Sequence, residues 1–197
     1  MNAKQRVREQ RIAYRRHLRT LPGAKADLDA ALTRNVLSLL DELGRGRGCG
    51  AGAAGNVAAY SPLPSEPGGP GLLPALSGAC RTVFLPISLP GGVLAWGAHS
   101  ETGSVAGALG IAEPGGARFT SRVLRSCDVV LAPALAVDKR GMRLGKGAGY
   151  YDRALAVLEG VPVAALVYDD DVLDAVPHDD HDVPVDWVVT PGGVQRV

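Results

Sequence analysis

A chain of 197 residues with 46% apolar content can bury one core of ordinary size, so a single domain over 1–197 is expected rather than two small ones. The formal charge of +1 excludes a global pull toward nucleic acid or an anionic membrane, and any basic surface must be local. Cys49, Cys80 and Cys127 are odd in number and lack both disulfide-framework and zinc-ligand spacing, and no apolar leader or membrane-length run is present, so a soluble cytoplasmic protein with reduced thiols is expected.

Over residues 4–19, Val7, Tyr14 and Leu18 recur at helical spacing beside a stripe of Lys4, Arg8, Arg11 and Arg15, which predicts a basic amphipathic helix. Seven basic residues lie between Lys4 and Arg19, most of them expected in solvent. Lys4 and Arg8, one turn apart, can reach one anion from one face. Leu21-Pro22-Gly23 breaks the pattern, and a second helix follows with Leu28, Leu32, Val36, Leu39, Leu40 and Leu43 on its buried side. The run GRGRGCGAGAAG at 44–55 is too rich in glycine for regular structure and reads as a flexible loop, and 61–71 is a second Gly/Pro-rich segment. Beyond it, short apolar runs at 56–60, 81–85, 93–96, 129–137, 163–168 and 187–189 predict strands, with helices at 72–78 and 150–158. Continuous rather than alternating apolarity in these runs implies a mostly parallel sheet covered on both faces, a Rossmann-like three-layer α/β fold.

The stretch RLGKGAGYYDR at 143–153 sets Gly145, Gly147 and Gly149 at every second position around Lys146, then adds Tyr150, Tyr151 and Asp152. Glycines leave backbone N–H groups free to converge on an anion while the lysine closes over it, which is the chemistry of a phosphate cradle. A Walker loop would need GxxxxGK[ST], and a dinucleotide fingerprint would need GxGxxG directly after a strand. Here the run is GxGxG, set off from the strand by Asp138-Lys139-Arg140-Gly141. In open α/β sheets ligands bind outside the carboxyl ends of the strands, and this loop lies between the strand at 129–137 and the next helix. A Gly-rich surface turn with a solvated lysine is the alternative. Tyr150 and Tyr151 offer flat faces in a chain only 5% aromatic, for stacking on a heterocycle or for the core.

Taken together, LAPALAVDKRGMRLGKGAGYYDRAL, the Lys4 and Arg8 pair, the stretch from Tyr60 to Glu66, Glu113-Pro114 and His181-Asp182 resemble the 5-formyltetrahydrofolate cyclo-ligase family, also called methenyltetrahydrofolate synthetases, almost end to end. The resemblance implies ATP-dependent closure of 5-formyltetrahydrofolate to 5,10-methenyltetrahydrofolate, with release of ADP and phosphate. Phosphorylating the formyl oxygen turns a poor leaving group into a good one, and such transfer depends on positioning and charge neutralisation. By family position, Lys4, Arg8, Arg143, Gly145, Lys146, Gly147, Gly149 and Tyr151 contact ATP, with Lys146 and Arg143 supplying catalytic charge. Leu63, Glu66, Ala148 and Tyr150 fall on the folate side, with Trp96 open between the same pocket and the core, where a strand tryptophan more often sits. A carboxylate beside a triphosphate needs an intervening hard cation, so Asp152 with Asp182 is expected to hold Mg²⁺, with His181 behind them. Asp152 as a helix-start residue complementing the dipole is the competing assignment. The expected partners are a reduced folate and ATP, with no nucleic acid or membrane, and the chain acts as a monomer.

Two departures from the family pattern stand out. Gly69 occupies the place of a threonine three residues after Glu66, and Tyr168-Asp169-Asp170-Asp171 replaces a segment in which glutamine is common. Two alternatives remain open. One is a nucleotide-dependent dehydrogenase in which Asp169–Asp171 hold a ribose, and the other is a non-catalytic phosphate- or nucleotide-binding relative.

Overall fold

Helix α1 (Ala3–Leu18) starts at Asn2, whose side chain accepts the Gln5 N–H at 2.8 Å and so satisfies one of the unpaired amides of the first turn. The second helix, α2 (Ala24–Gly46), buries Leu32, Val36 and Leu39 along one face, as their spacing requires. It runs three residues past Leu43, so part of the expected glycine loop is helix. The computed structural model describes residues 2–46, 54–100, 103–107, 111–179 and 182–197; 47–53 of that loop, with Cys49, and His181 lie outside the described residues.

In chain order there follow β1 (Ala54–Ala58), α3 (Leu72–Ala79), β2 (Cys80–Leu89), β3 (Val93–Ala98), β4 (Ser104–Ala106), β5 (Ala112–Pro114), β6 (Phe119–Thr120), β7 (Cys127–Pro133), β8 (Ala136–Asp138) and β9 (Arg143–Leu144). Helix α4 (Tyr150–Leu155), β10 (Val163–Leu166), β11 (Val172–Leu173), β12 (Trp187–Thr190) and β13 (Gly193–Arg196) complete it. The main sheet has the order β13-β12-β10-β7-β1-β2-β3-β6. Its five central strands, β12 to β2, are parallel, and β13, β3 and β6 add antiparallel edges.

Successive side chains of a strand point to opposite faces, and both faces here are covered. Val57, Val129, Leu131, Ala164 and Leu166 pack under Leu32, Val36 and Leu39 of α2 and Leu72 and Leu76 of α3. Their neighbours Ala58, Val130, Ala132 and Ala165 pack on Leu124 of a short 3-10 helix and on Ala154 and Leu155 of α4. Burial on two sides is why these strands read as unbroken apolar runs. The expected three layers are present.

Two expected elements differ. The run 129–137 is not one strand: the parallel ladder ends at Pro133, which has no N–H to donate, and β8 leaves to join β9 and β11 in a separate three-stranded sheet. The helix expected to 158 ends at Leu155, its tail closing in a turn from Leu158 N–H to the Leu155 carbonyl. Among the described residues no helix is long and apolar enough to cross a membrane.

From β1 the chain passes through α3 to β2 on one side, whereas β7, β10 and β12 stack on the other. The order therefore reverses between β1 and β7. A crevice opens beyond the carboxyl ends of strands at such a reversal.

Candidate functional site

A cavity of about 480 Å³ occupies that crevice, bounded by Tyr60 and Ser61 after β1, by Pro133 at the end of β7 and by Ala134 and Leu135 beyond it. It gathers side chains from distant parts of the chain: Lys4 and Arg8 from α1, Leu63 and Glu66 from the loop after β1, Asp182, and the run 143–152. Within that run Arg143, Gly145, Lys146, Gly147, Ala148, Gly149, Tyr150, Tyr151 and Asp152 all face the cavity.

The loop is delivered to the crevice by Asp138. Its fully buried carboxylate accepts the N–H groups of Arg140 at 2.9 Å, Met142 at 3.0 Å and Val176 at 3.0 Å. Burial opposes its ionisation, yet these amides and the nearby Arg140 charge hold its carboxyl below the usual Asp range. The charged detour of the sequence is thus a tight turn that folds β9 back on β8. Gly141 takes φ +80° there, and a Cβ at that position would stand 2.5 Å from the Val185 carbonyl oxygen.

In the glycine run itself, Gly147 and Gly149 take left-handed conformations, φ +99° and +67°. Gly145 does not, and its carbonyl accepts Arg8 Nε at 3.0 Å. Arg153 fastens the loop from outside by donating to the carbonyls of Ala148 at 2.9 Å and Gly92 at 2.8 Å. The motif contained this arginine, but nothing in the spacing marks it as a staple.

Each cation around the cavity is matched with an acid or a carbonyl. Lys146 Nζ lies 2.7 Å from Glu66 Oε1, and Glu66 Oε2 accepts the Leu63 N–H at 2.9 Å. Arg143 is buried and committed to Asp152 Oδ1 at 2.6 Å and the Val183 carbonyl at 3.1 Å, so it presents no mobile guanidinium. Lys4 Nζ sits between Asp179 at 2.6 Å and Asp182 at 2.7 Å. Partial burial pulls its pKa down, but the hydrogen bonds and charges of the two carboxylates raise it overall.

Tyr151 turns its ring edge-on to Trp96, with centroids 6.3 Å apart. Its buried hydroxyl has no partner among the described residues, and burial, reinforced by Glu66 and opposed by Arg143, pushes the phenol far above its ordinary pKa. Trp96 does not line the cavity: it is fully buried behind Tyr151 and donates to Ser121 Oγ at 3.2 Å. Tyr150 is half-buried on the cavity side, with the Arg153 guanidinium 5.9 Å from its ring centroid.

The acidic run Asp169–Asp171 does not border the cavity, which removes the ribose-holding residues of the dehydrogenase alternative. Asp171 is fully buried and binds Arg15 through Nε at 3.0 Å and Nη2 at 2.8 Å, while Asp169 accepts the Gly192 N–H at 3.1 Å. Arg15, one of the basic residues of α1 to which the sequence assigns no contact, also donates to the Ala134 carbonyl at 2.6 Å and borders the cavity.

Gly69 has a local explanation. Its φ is +52°, and a Cβ there would lie 2.5 Å from Asp29 Oδ2. Asp29, buried on α2, accepts the Gly68 N–H at 3.0 Å and the Tyr168 hydroxyl at 2.8 Å and pairs with Lys25, so it holds the turn that directly follows Glu66. A threonine at 69 would meet both the backbone strain and this carboxylate. Gly69→Thr is therefore expected to destabilise the fold by roughly 1–3 kcal/mol in denaturant unfolding, and an unchanged midpoint would show that the turn yields freely.

Residues 1–191 match the sequence profile of the 5-formyltetrahydrofolate cyclo-ligase family. A 5-formyltetrahydrofolate cyclo-ligase of Mycolicibacterium smegmatis is 37% identical over 190 residues, which cover 92% of this chain and 91% of that protein. Among solved structures, the 5,10-methenyltetrahydrofolate synthetase of Aquifex aeolicus superposes with a TM-score of 0.76 at 29% identity, covering 99% of this chain and 93% of that one. The Mycoplasma pneumoniae 5,10-methenyltetrahydrofolate synthetase shares the fold, with a TM-score of 0.72 at 20% identity over 96% of this chain and 99% of its own.

Proposed function

The chain belongs to the 5-formyltetrahydrofolate cyclo-ligase family and is an enzyme of that kind, and on this premise we propose that residues 1–197 act as one domain, a cytoplasmic monomer that uses ATP and Mg²⁺ to close 5-formyltetrahydrofolate to 5,10-methenyltetrahydrofolate. The observation that carries this reading is the meeting, in one switch-point cavity, of a glycine cradle, the basic side of α1 and the Glu66 carboxylate.

The uncovered backbone at Gly145, Gly147 and Gly149 receives the triphosphate, and Lys146 leaves Glu66 to neutralise the phosphoryl group in transfer. Lys4 and Arg8 approach the phosphates from the α1 side, with Tyr151 toward the nucleotide. Arg143, locked by Asp152, contributes a fixed positive field from the wall rather than a moving contact. Leu63, Ala148 and Tyr150 pack against the folate, and Glu66 accepts from the N–H of the pterin's reduced ring. The formyl oxygen attacks the γ-phosphorus, the bond to the β-phosphate oxygen breaks and ADP departs. N10 then attacks the activated carbon and loses its proton, and the C–O bond breaks to release phosphate.

Among the described residues no group of three or more His, Cys, Asp or Glu side chains stands ready for a metal. Asp152 and Asp182, paired here with Arg143 and Lys4, both lie on the cavity, and we assign them to Mg²⁺, which is commonly held by one or two carboxylates completed by substrate phosphates and water. Bound there, the cation would supply further neutralisation of phosphate charge.

The purified protein with 5-formyltetrahydrofolate, ATP and Mg²⁺ is expected to generate the ultraviolet absorption of the methenyl product. A heavy isotope placed in the formyl oxygen is expected in the released phosphate. Label appearing in water while ADP still forms would remove formyl phosphorylation from the path, and absence of both products would overturn the reading.

A further inference from the structure

We propose that Glu113 recognises the donor edge of the substrate's pterin ring, its 2-amino group and the adjacent ring N–H. The proposal rests on the folate reading of the cavity, for which Glu113 has so far no role.

Glu113 lies on β5, borders the cavity and is only 6% exposed. Among the described residues its one hydrogen bond comes from the Ser88 N–H to Oε1 at 2.9 Å, and no cation pairs with it. Glu66, the other buried glutamate on the cavity, is engaged by both Lys146 and the Leu63 amide. A buried carboxylate is costly unless donors surround it, so one amide leaves Glu113 with capacity unmet.

That burial is built rather than incidental. A Cβ on Gly107 would stand 2.4 Å from the Glu113 carboxyl carbon, and one on Gly97 would stand 2.6 Å from Pro114 Cβ. The β4–β5 hairpin thus comes down on β3 where a side chain is missing, and its own glycine lets the backbone close over the carboxylate. The hairpin is otherwise largely exposed, so its own packing gives no reason to bury an acid.

The neighbouring cavity wall is apolar, with Pro86, Leu94, Ile111 and Ala112, and suits a flat heterocycle. A carboxylate beside such a wall can accept two parallel N–H bonds from an aminopyrimidinone edge, as it does from a guanidinium. A phosphate would be repelled by the same charge. The glycine cradle and Lys146 remain for the triphosphate, so one cavity divides into a ring end and a phosphate end.

The test compares 5-formyltetrahydrofolate with its 2-desamino analogue in steady-state kinetics on the full chain. Wild type is expected to favour the natural substrate by about 10-fold or more in kcat/KM, the scale of losing a charged hydrogen bond. Glu113→Gln is expected to raise the folate KM about 10-fold, leave the KM for ATP nearly unchanged, and abolish most of the discrimination. A variant that keeps wild-type discrimination would overturn the proposal and confine Glu113 to holding Ser88. Turnover by wild type without discrimination would overturn it alone, even if the variant failed to fold. No turnover of either compound by wild type would overturn the enzyme reading and this proposal with it.

Discussion

Arg15→Ala is expected to cost about 3–5 kcal/mol of folding stability, the range for breaking a buried ion pair from one side. Arg15 joins α1, the Ala134 carbonyl beyond β7 and Asp171 beyond β10, and both charged partners are buried. Removing the guanidinium leaves the Asp171 charge in the interior with the Tyr168 amide at 3.4 Å and the Arg11 guanidinium, whose Nη1 stands 3.8 Å from Oδ1, as its remaining close partners. Among the described residues Asp171 Oδ1 has no hydrogen bond, the Arg11 contact being too long for one. Burial already raises the Asp171 pKa, with Arg15 as the main opposing influence, so the variant must raise it further. An acid whose folded pKa lies above its unfolded value binds protons preferentially in the native state. The stability lost at neutral pH should therefore be partly recovered as pH falls toward the acid range. Urea unfolding at two pH values measures this, and Asp171→Leu added to the variant should recover much of the loss. A wild-type midpoint for Arg15→Ala would show that the pair contributes nothing.

Arg15 was invisible in the sequence because it repeats the spacing of Lys4, Arg8 and Arg11, and its acidic partner lies 156 positions away. What separates it from the solvated arginines of α1 is tertiary packing, which no helical pattern reports. The parallel strands were legible for the opposite reason: burial on both faces leaves an unbroken apolar run in the sequence itself. The small sheet of β8, β9 and β11 left no such trace, since its strands have two or three residues and owe their place to amides collected by Asp138. Asp138 beside Lys139, Arg140 and Gly141 looks like a solvated turn until the backbone is folded around it. Gly69 likewise looks like a loss only until α2 is packed and Asp29 fills the space where a threonine would stand. The glycines at 147 and 149 were readable as a turn because both take left-handed backbone that side chains rarely adopt. Trp96 stayed open between cavity and core because an apolar strand residue reads the same whether it faces a cavity or the back of Tyr151.

Lys146→Ala is expected to lower turnover about 10- to 150-fold, the loss of roughly 1.5–3 kcal/mol from charge-assisted contacts to the transferring phosphoryl group. Stability should change only modestly: the Lys146 side chain is 47% exposed, which limits such a pair to about 1 kcal/mol, and the buried Glu66 keeps the Leu63 amide. The pairing raises a competing assignment, in which Lys146 merely holds Glu66 in place for the folate. The two predict different kinetics. A holding role makes the effect appear in the folate KM, makes Glu66→Gln reproduce it, and makes the double variant no worse than either single one. A phosphoryl-neutralising role puts the loss in kcat with Glu66 intact, and makes the double variant lose close to the product of the two single effects. Lys146→Arg separates them again, since the guanidinium retains charge for the phosphate but cannot keep the geometry of the 2.7 Å contact to Glu66 Oε1. Wild-type kinetics in Lys146→Ala would take the lysine out of the chemistry and leave the glycine backbone, with Lys4 and Arg8, as the means by which this cavity meets an anion.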